Sequence, residues 1–163
     1  MTTFSPDQLA NYAEVLVWAM RESRAVPYKN GELVLLRYDV AAAPLAEAVY
    51  AALMDAHLHP LPLALPTSAM QAQHYGNSSF GQLTFVQPGQ DDLFRAAAGL
   101  ITILAPDSLT NLAKVDPRSI APGEAAEARA QQVLSPPPPG GAARLHRVPV
   151  PHRRPGRGQR HAP

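Results

Sequence analysis

The sequence predicts an α/β fold: an open, mostly parallel sheet with helices on both faces, followed by a disordered tail rich in proline, arginine and glycine. Short apolar runs at residues 33–36 and 100–104 have the near-continuous hydrophobicity of strands that are covered on both faces. Segments with helical periodicity alternate with these runs, as expected where a helix returns the chain between parallel strands. A change of composition at Gln131 predicts the tail.

The first helix has a clear start signal. Ser5 can cap it, Pro6 takes the first helical position, and Gln8 stands three residues after the cap, so the three residues predict a capping box. Apolar residues then recur at three- and four-residue steps, which predicts an amphipathic helix that ends near Arg24. They are Leu9, Tyr12, Ala13, Leu16, Ala19 and Met20.

The elements that follow alternate in type. Asn30-Gly31 predicts a turn, and the polar, glycine-containing residues 66–90 predict short helices and loop. The predicted strands are residues 32–39, 61–65 and 100–104, and the predicted helices after the first are residues 44–57, 91–98 and 122–131.

Residues 131–163 differ from everything before them. They contain eight prolines, four glycines and six arginines, and they have no Asp, Glu, Lys or aromatic residue. Such a segment has too little large apolar surface to offset the entropy of ordering it. We therefore expect residues 1–130 to form an N-terminal α/β domain and residues 131–163 to be a disordered basic tail. The formal charge divides at the same point: residues 1–130 have 8 basic and 13 acidic residues, hence −5, and the tail carries +6.

Composition narrows the class of protein. With no cysteine, the chain can form no disulfide, thiolate metal site or cysteine nucleophile. The first residues lack the basic start of a secretory signal, and the apolar runs are too short to span a bilayer. These features predict a soluble, cytoplasmic protein with no membrane partner.

The sequence contains none of the usual dinucleotide, P-loop, zinc-protease or nucleophile-elbow motifs. His57 and His59 lie close in sequence but have no third ligand nearby, so a surface pair is favoured over a metal site, and His74 is interpreted in the same way. Asp91 and Asp92 are predicted to begin a helix, where negative charge complements the backbone dipole. The other carboxylates, Glu14, Glu22, Glu32, Glu47 and Asp55, are interpreted as solvated.

Three stretches carry a resemblance to a known family. They are FSPDQLANYAEVL at residues 4–16, the apolar strand at 33–39 with PLAEAVY at 44–50, and ITILAPDSL at 101–109 with VDPRSI at 115–120. In this order and spacing, over about residues 4–130, the chain resembles the N-terminal domain of the aminopeptidase T-type metallopeptidases, also described as thermophilic or leucyl aminopeptidases.

The resemblance implies both a function and a missing part. Members of this family remove N-terminal amino acids from peptides with two divalent metal ions, such as zinc, cobalt or magnesium. Glu, His and Asp residues hold these ions beside a Tyr in a C-terminal catalytic domain, and none of those positions corresponds to a residue of this chain. The resemblance therefore implies a family member truncated before its catalytic domain, inactive alone, with no catalytic, cofactor-binding or metal-binding residue of its own.

The tail leaves two main interpretations open. A shifted reading frame in GC-rich DNA yields Pro, Arg, Gly, Ala and His, which are abundant in residues 135–163. Alternatively, the tail is a selected basic arm that contacts nucleic acid or an acidic surface. The alternative function is then a noncatalytic α/β interaction module with a nucleic-acid-binding tail, although the tail lacks aromatic residues for base stacking. A polyproline ligand at residues 136–139 is the weakest interpretation.

Loss of a catalytic partner would also expose apolar surface and favour self-association, for example as a homodimer.

Overall fold

A computed structural model of the chain describes residues 4–132 and 148–149. In these residues, one or more helices separate each strand from the next, and a short 3-10 turn lies at Val40–Ala42. The helices are α1 (Pro6–Glu22), α2 (Ala43–Asp55), α3 (Ser68–Asn77), α4 (Phe80–Leu83), α5 (Gln90–Ala96) and α6 (Pro117–Gln132), and the strands are β1 (Leu33–Tyr38), β2 (His59–Ala64), β3 (Ala97–Leu104) and β4 (Val148–Pro149).

The strands form one parallel sheet in the order β2-β1-β3-β4. At its centre, Leu35 of β1 lies opposite Leu61 of β2 on one side and Leu100 of β3 on the other. The predicted open parallel sheet is therefore confirmed. Strand β4, whose two residues lie opposite Ile103 and Leu104, was not predicted. Of the tail predicted to be disordered, residues 131 and 132 belong to α6 and residues 148 and 149 form β4. The other residues of the tail lie outside the described residues.

Helices cover both faces of the sheet, as predicted. On one face, α1 and α2 pack on β1 and β3 in a core that includes Met20, Val34, Val49 and Ile101. On the other face, Phe94 of α5 packs on Leu35, and α6 lies against α3, α4 and α5. Because both faces of the sheet are buried, the first four residues of the central strand β1 are all apolar.

Helix α1 begins as its capping box predicts. The hydroxyl of Ser5 accepts a hydrogen bond from the Gln8 N–H at 3.2 Å, and the Gln8 side chain accepts one from the Ser5 N–H at 2.9 Å. Among the helices described in residues 4–132, none has the length and hydropathy needed to cross a membrane.

Two predicted boundaries are wrong by several residues. Helix α6 begins at Pro117 and not at 122, because the Asp116 carboxylate accepts the Arg118 N–H at 2.9 Å and caps the helix, with Pro117 in the first position. Residues 97 and 98, predicted to end a helix, belong to β3, since Ala97 pairs with Leu33 of β1. Tertiary pairing here overrides the helix propensity of alanine.

Strand β2 lies at an edge of the sheet and begins at His59, two residues before the predicted start. His59 and Leu65 donate their backbone N–H groups to β1 and its flanking residues, so the odd-numbered residues face β1. The backbone nitrogens of Pro60 and Pro62 therefore point toward the open edge. Because proline has no N–H donor, this edge resists pairing with a further strand.

Candidate functional site

The carboxyl edge of the sheet is where an open α/β fold usually binds its ligand. The connection from β1 leads to β2 on one side, and the next strand along the chain, β3, lies on the other side of β1. The loops that leave β1 and β3 therefore diverge and open a crevice between them.

Asp39, the residue directly after β1, bridges that crevice. Its carboxylate accepts the Ala105 N–H at 2.7 Å, and its own N–H donates to the carbonyl of Ile103 at 3.0 Å. Both contacts join the end of β1 to the end of β3. Asp39 thus ties the two diverging loops together at the edge where an open α/β sheet usually binds its ligand.

A second group of polar residues joins the loops after β2 and β3. The Ser68 hydroxyl donates to the Asp107 carboxylate, and the Asn111 side-chain amide donates to the Ser68 carbonyl at 3.3 Å and to Gln71 at 3.1 Å. The hydrogen bond from Ser68 lowers the pKa of the Asp107 carboxyl below its ordinary value. We call Asp39, Ser68, Asp107 and Asn111 the carboxyl-edge cluster; each of its members already has a partner within the chain.

The donors in the described residues do not fit a hydrolytic metal centre. Such a centre needs several converging protein ligands and an open coordination position. Within residues 4–132 and 148–149, no three His, Asp or Glu side chains come together in a way that could hold a metal ion. The statement that the whole chain lacks catalytic and metal-binding residues stays a prediction.

The histidines considered as metal ligands lie apart from the carboxyl-edge cluster. His57 and His59 are both exposed, one just after α2 and the other at the start of β2. His74 lies in α3, where its Nδ1 is 3.3 Å from the Ser78 hydroxyl and its ring meets the edge of Tyr75. None of these three histidines belongs to the carboxyl-edge cluster.

The paired carboxylates Asp91 and Asp92 lie in the first turn of α5, as predicted. Asp92 forms an exposed ion pair with Arg95, its neighbour one helical turn away, with the Arg95 Nη1 to Asp92 Oδ1 distance at 3.1 Å. This is a helix-surface arrangement, and it gives the pair no catalytic setting.

The interpretation of Glu32 as a solvated carboxylate is wrong. Glu32 is partly buried and accepts two hydrogen bonds from the guanidinium of Arg24, at 2.7 and 3.4 Å, and one from the Lys29 N–H at 3.1 Å. Burial alone would raise the pKa of Glu32, but these hydrogen bonds outweigh it and hold the pKa below its ordinary value. The hydrogen bond to Glu32 in turn raises the pKa of Arg24.

Tyr28 packs with Arg24 and Glu32, and together these three residues hold the loop between α1 and β1 against β3. The Arg24 guanidinium lies over the Tyr28 ring, 4.7 Å from its centroid, and the Tyr28 hydroxyl donates to the Ala98 carbonyl at 3.3 Å. Burial raises the pKa of Tyr28. Arg24 and Glu32 stand on either side of the Asn30-Gly31 turn, and oppositely charged residues flanking a turn were the one sequence signal that could have revealed the pair.

Comparisons with known proteins agree on the fold. The family described as thermophilic metalloprotease (M29) matches residues 5–153, a range that continues beyond the boundary predicted at residue 130. The solved structure of wild-type AmpT from Thermus thermophilus superposes with a TM-score of 0.58 and 13% sequence identity, over 77% of this chain and 31% of that chain. This chain thus spans about a third of the solved relative. No curated protein sequence matches it.

Proposed function

The chain belongs to the thermophilic metalloprotease family M29, and from that membership we propose that residues 4–132 form a noncatalytic domain of a metal-dependent aminopeptidase. In this proposal the reaction is the removal of N-terminal amino acids from peptides. Two divalent metal ions carry it out in a part of the enzyme that the described residues do not include.

The proposal rests on one contrast: the chain belongs to a metalloprotease family, but its described residues contain no group of side chains that could hold a metal ion. A metallopeptidase must hold its metal with several side chains, yet the polar residues of the carboxyl-edge cluster bond to one another and to backbone groups. Asp39 and Asp107, the acidic members, are committed to the Ala105 N–H and to Ser68. These bonds connect loops and give the cluster a structural role.

The test is an assay of the purified chain with leucyl-p-nitroanilide and leucyl dipeptides in the presence of zinc, cobalt or magnesium. We expect no release of amino acid above the blank, while an unrelated metallo-aminopeptidase added to a parallel sample shows that the assay works. Metal-dependent turnover that co-purifies with the chain would contradict the proposal. Its loss in Asp39→Asn or Asp107→Asn would then locate the reaction at the carboxyl edge.

A further inference from the structure

The turn between α1 and β1 contains the dipeptide Asn30-Gly31, which the proposed function does not use. The Lys29 carbonyl accepts the Glu32 N–H at 3.2 Å, and both residues between them are exposed. Gly31 has a φ of 82°, so it takes the third position of a β-turn, which requires a left-handed conformation. The turn therefore places the least hindered kind of backbone nitrogen directly after the Asn30 side-chain amide.

The side chain of Asn30 is open to water. It lines a groove of about 540 Å³ between the ends of α1 and α2, together with Asp55 and His57. Within the described residues it has no hydrogen-bond partner. Beside Gly31, the nearest atom to the position of an added Cβ is the His59 Cδ2 at 3.9 Å, so little is packed against the turn on this side. The amide carbon of Asn30 is thus accessible both to a neighbouring nucleophile and to water.

The other three asparagines of the chain have settings that oppose the same chemistry. Asn11 lies within α1 and is followed by a tyrosine. Asn77 ends α3, where the next N–H is bonded back to the His74 carbonyl at 3.1 Å. The Asn111 side-chain amide donates to the Ser68 carbonyl at 3.3 Å. None of the three precedes a glycine, so the nitrogen that follows each of them is more hindered.

We propose that Asn30 is a site of deamidation, the reaction that makes asparagine a thermolabile residue. The Gly31 backbone nitrogen loses its proton and attacks the Asn30 Cγ, the Cγ–Nδ2 bond breaks, and the amide group leaves with a proton as ammonia. Water then opens the resulting five-membered succinimide ring. Attack at Cγ gives aspartate, and attack at the main-chain carbonyl gives isoaspartate, in which the backbone continues through the side chain. The net reaction consumes one water, releases one ammonia and adds a carboxylate to the groove.

Hydrogen bonds of the turn control how fast this reaction proceeds. The Gly31 N–H donates to the His57 carbonyl at 2.8 Å, and this bond must open before the nitrogen can lose its proton. The Glu32 carboxylate holds the turn through Arg24 at 2.7 Å and through the Lys29 N–H at 3.1 Å. We therefore expect the folded chain to react more slowly than the unfolded chain, and loss of these contacts to speed the reaction. The proposal does not depend on the aminopeptidase proposal.

Peptide mass mapping tests the proposal, because trypsin places each of the four asparagines in a different peptide. The purified full-length chain is incubated at mildly alkaline pH, then unfolded and digested at intervals. The peptide of residues 30–37 should gain the mass difference between a hydroxyl and an amino group, ahead of the peptides that contain the other three asparagines. Acceptance of a methyl group from an isoaspartyl methyltransferase identifies the isoaspartate product. Asn30→Gln, in which the same attack would need a six-membered ring, provides the blank.

A second variant tests the control by the turn. Folded Glu32→Gln should gain mass at Asn30 about two- to fivefold faster than the original chain, because loss of a partly exposed ion pair shifts an opening equilibrium by about that factor. In urea the two chains should react equally, which separates opening of the turn from the chemistry. Glu22→Gln, which removes an exposed carboxylate outside the turn, should react as the original chain does.

Three results would overturn the proposal. The first is a folded chain that keeps Asn30 intact while the chain in urea converts it. The second is a gain of mass at any other asparagine as fast as at Asn30 in the folded chain. The third is an equal rate for folded Glu32→Gln and the folded original chain, which would remove the ion pair from control of the reaction.

Discussion

His57 is the one non-glycine residue with a positive φ, 58°, among the described residues. It follows the last turn of α2, where the Leu58 N–H bonds to the Leu53 carbonyl and the His57 N–H bonds to that of Met54. This pair of bonds is a Schellman motif, and its left-handed position is usually taken by glycine. The motif explains why α2 ends at Asp55, two residues before the predicted end.

We expect His57→Gly to raise the free energy of unfolding by about 0.5–1 kcal/mol, because glycine adopts the left-handed conformation without the Cβ clash. Urea unfolding followed by circular dichroism measures the change. The matched control is His59→Gly, which places glycine inside β2 and should lower stability. A loss of stability in both variants would show that the His57 side chain stabilises the end of the helix.

Glu32 gives a prediction on pH. Its pKa is lowered in the folded state, so its ionised form stabilises the fold above its unfolded pKa of about 4.3, and that stabilisation is lost as the pH falls through the folded value. Glu32→Gln should therefore be less stable than the original chain at pH 7, and the difference should shrink below about pH 4.

Unfolding midpoints measured at several pH values test this, with Glu22→Gln, which removes an exposed carboxylate outside the contact with Arg24, as the matched control. The assignment fails if the deficit of Glu32→Gln is as large at pH 3 as at pH 7. The ion pair would then contribute through packing and not through the charge of the carboxylate.

Among the elements, those with local start and stop signals could be predicted closely. The capping box at Ser5 acts over three residues and therefore fixes the start of α1 from sequence alone. The junction of α5 and β3 could not be predicted, because Ala97 and Ala98 have helical propensity and their strand conformation depends on pairing with β1.

Gly99 of β3 allows the loop after α1 to approach the sheet. A Cβ atom at this position would lie 2.6 Å from the Tyr28 hydroxyl oxygen and 3.1 Å from the Met20 sulfur. We expect Gly99→Ala to lower stability by about 1–3 kcal/mol through overpacking. Thermal or urea unfolding measures this, and Gly81→Ala, where nothing lies within 4 Å, is the control that leaves the fold unaffected.

A double-mutant cycle separates this clash from a general intolerance of β3. Tyr28→Phe removes the oxygen that the new methyl group would meet, so Gly99→Ala should cost less in that background than in the original chain. Equal costs in the two backgrounds would show that Tyr28 is not the group that Gly99 accommodates.

For the whole molecule, the alternation of apolar strands and amphipathic helices was sufficient to predict the parallel sheet and its two helical layers. The carboxyl-edge cluster could not be predicted, because it joins Asp39 to Ala105 and Ser68 to Asp107 across long stretches of sequence. Only the strand order β2-β1-β3 brings these loops together. Asp39 follows a strand, as a ligand-binding residue often does, but its hydrogen bonds connect two loops.

The central claim is that residues 4–132, which belong to the part of the chain matched by the M29 family, form an α/β fold with no hydrolytic metal site among the described side chains. Equilibrium dialysis of the purified full-length chain against zinc or cobalt, with the bound metal counted by elemental analysis, tests it most directly. We expect bound metal well below one ion per chain at micromolar free metal, because a site needs several converging ligands. Stoichiometric binding that is lost in Asp39→Asn or in Asp107→Asn would contradict the account.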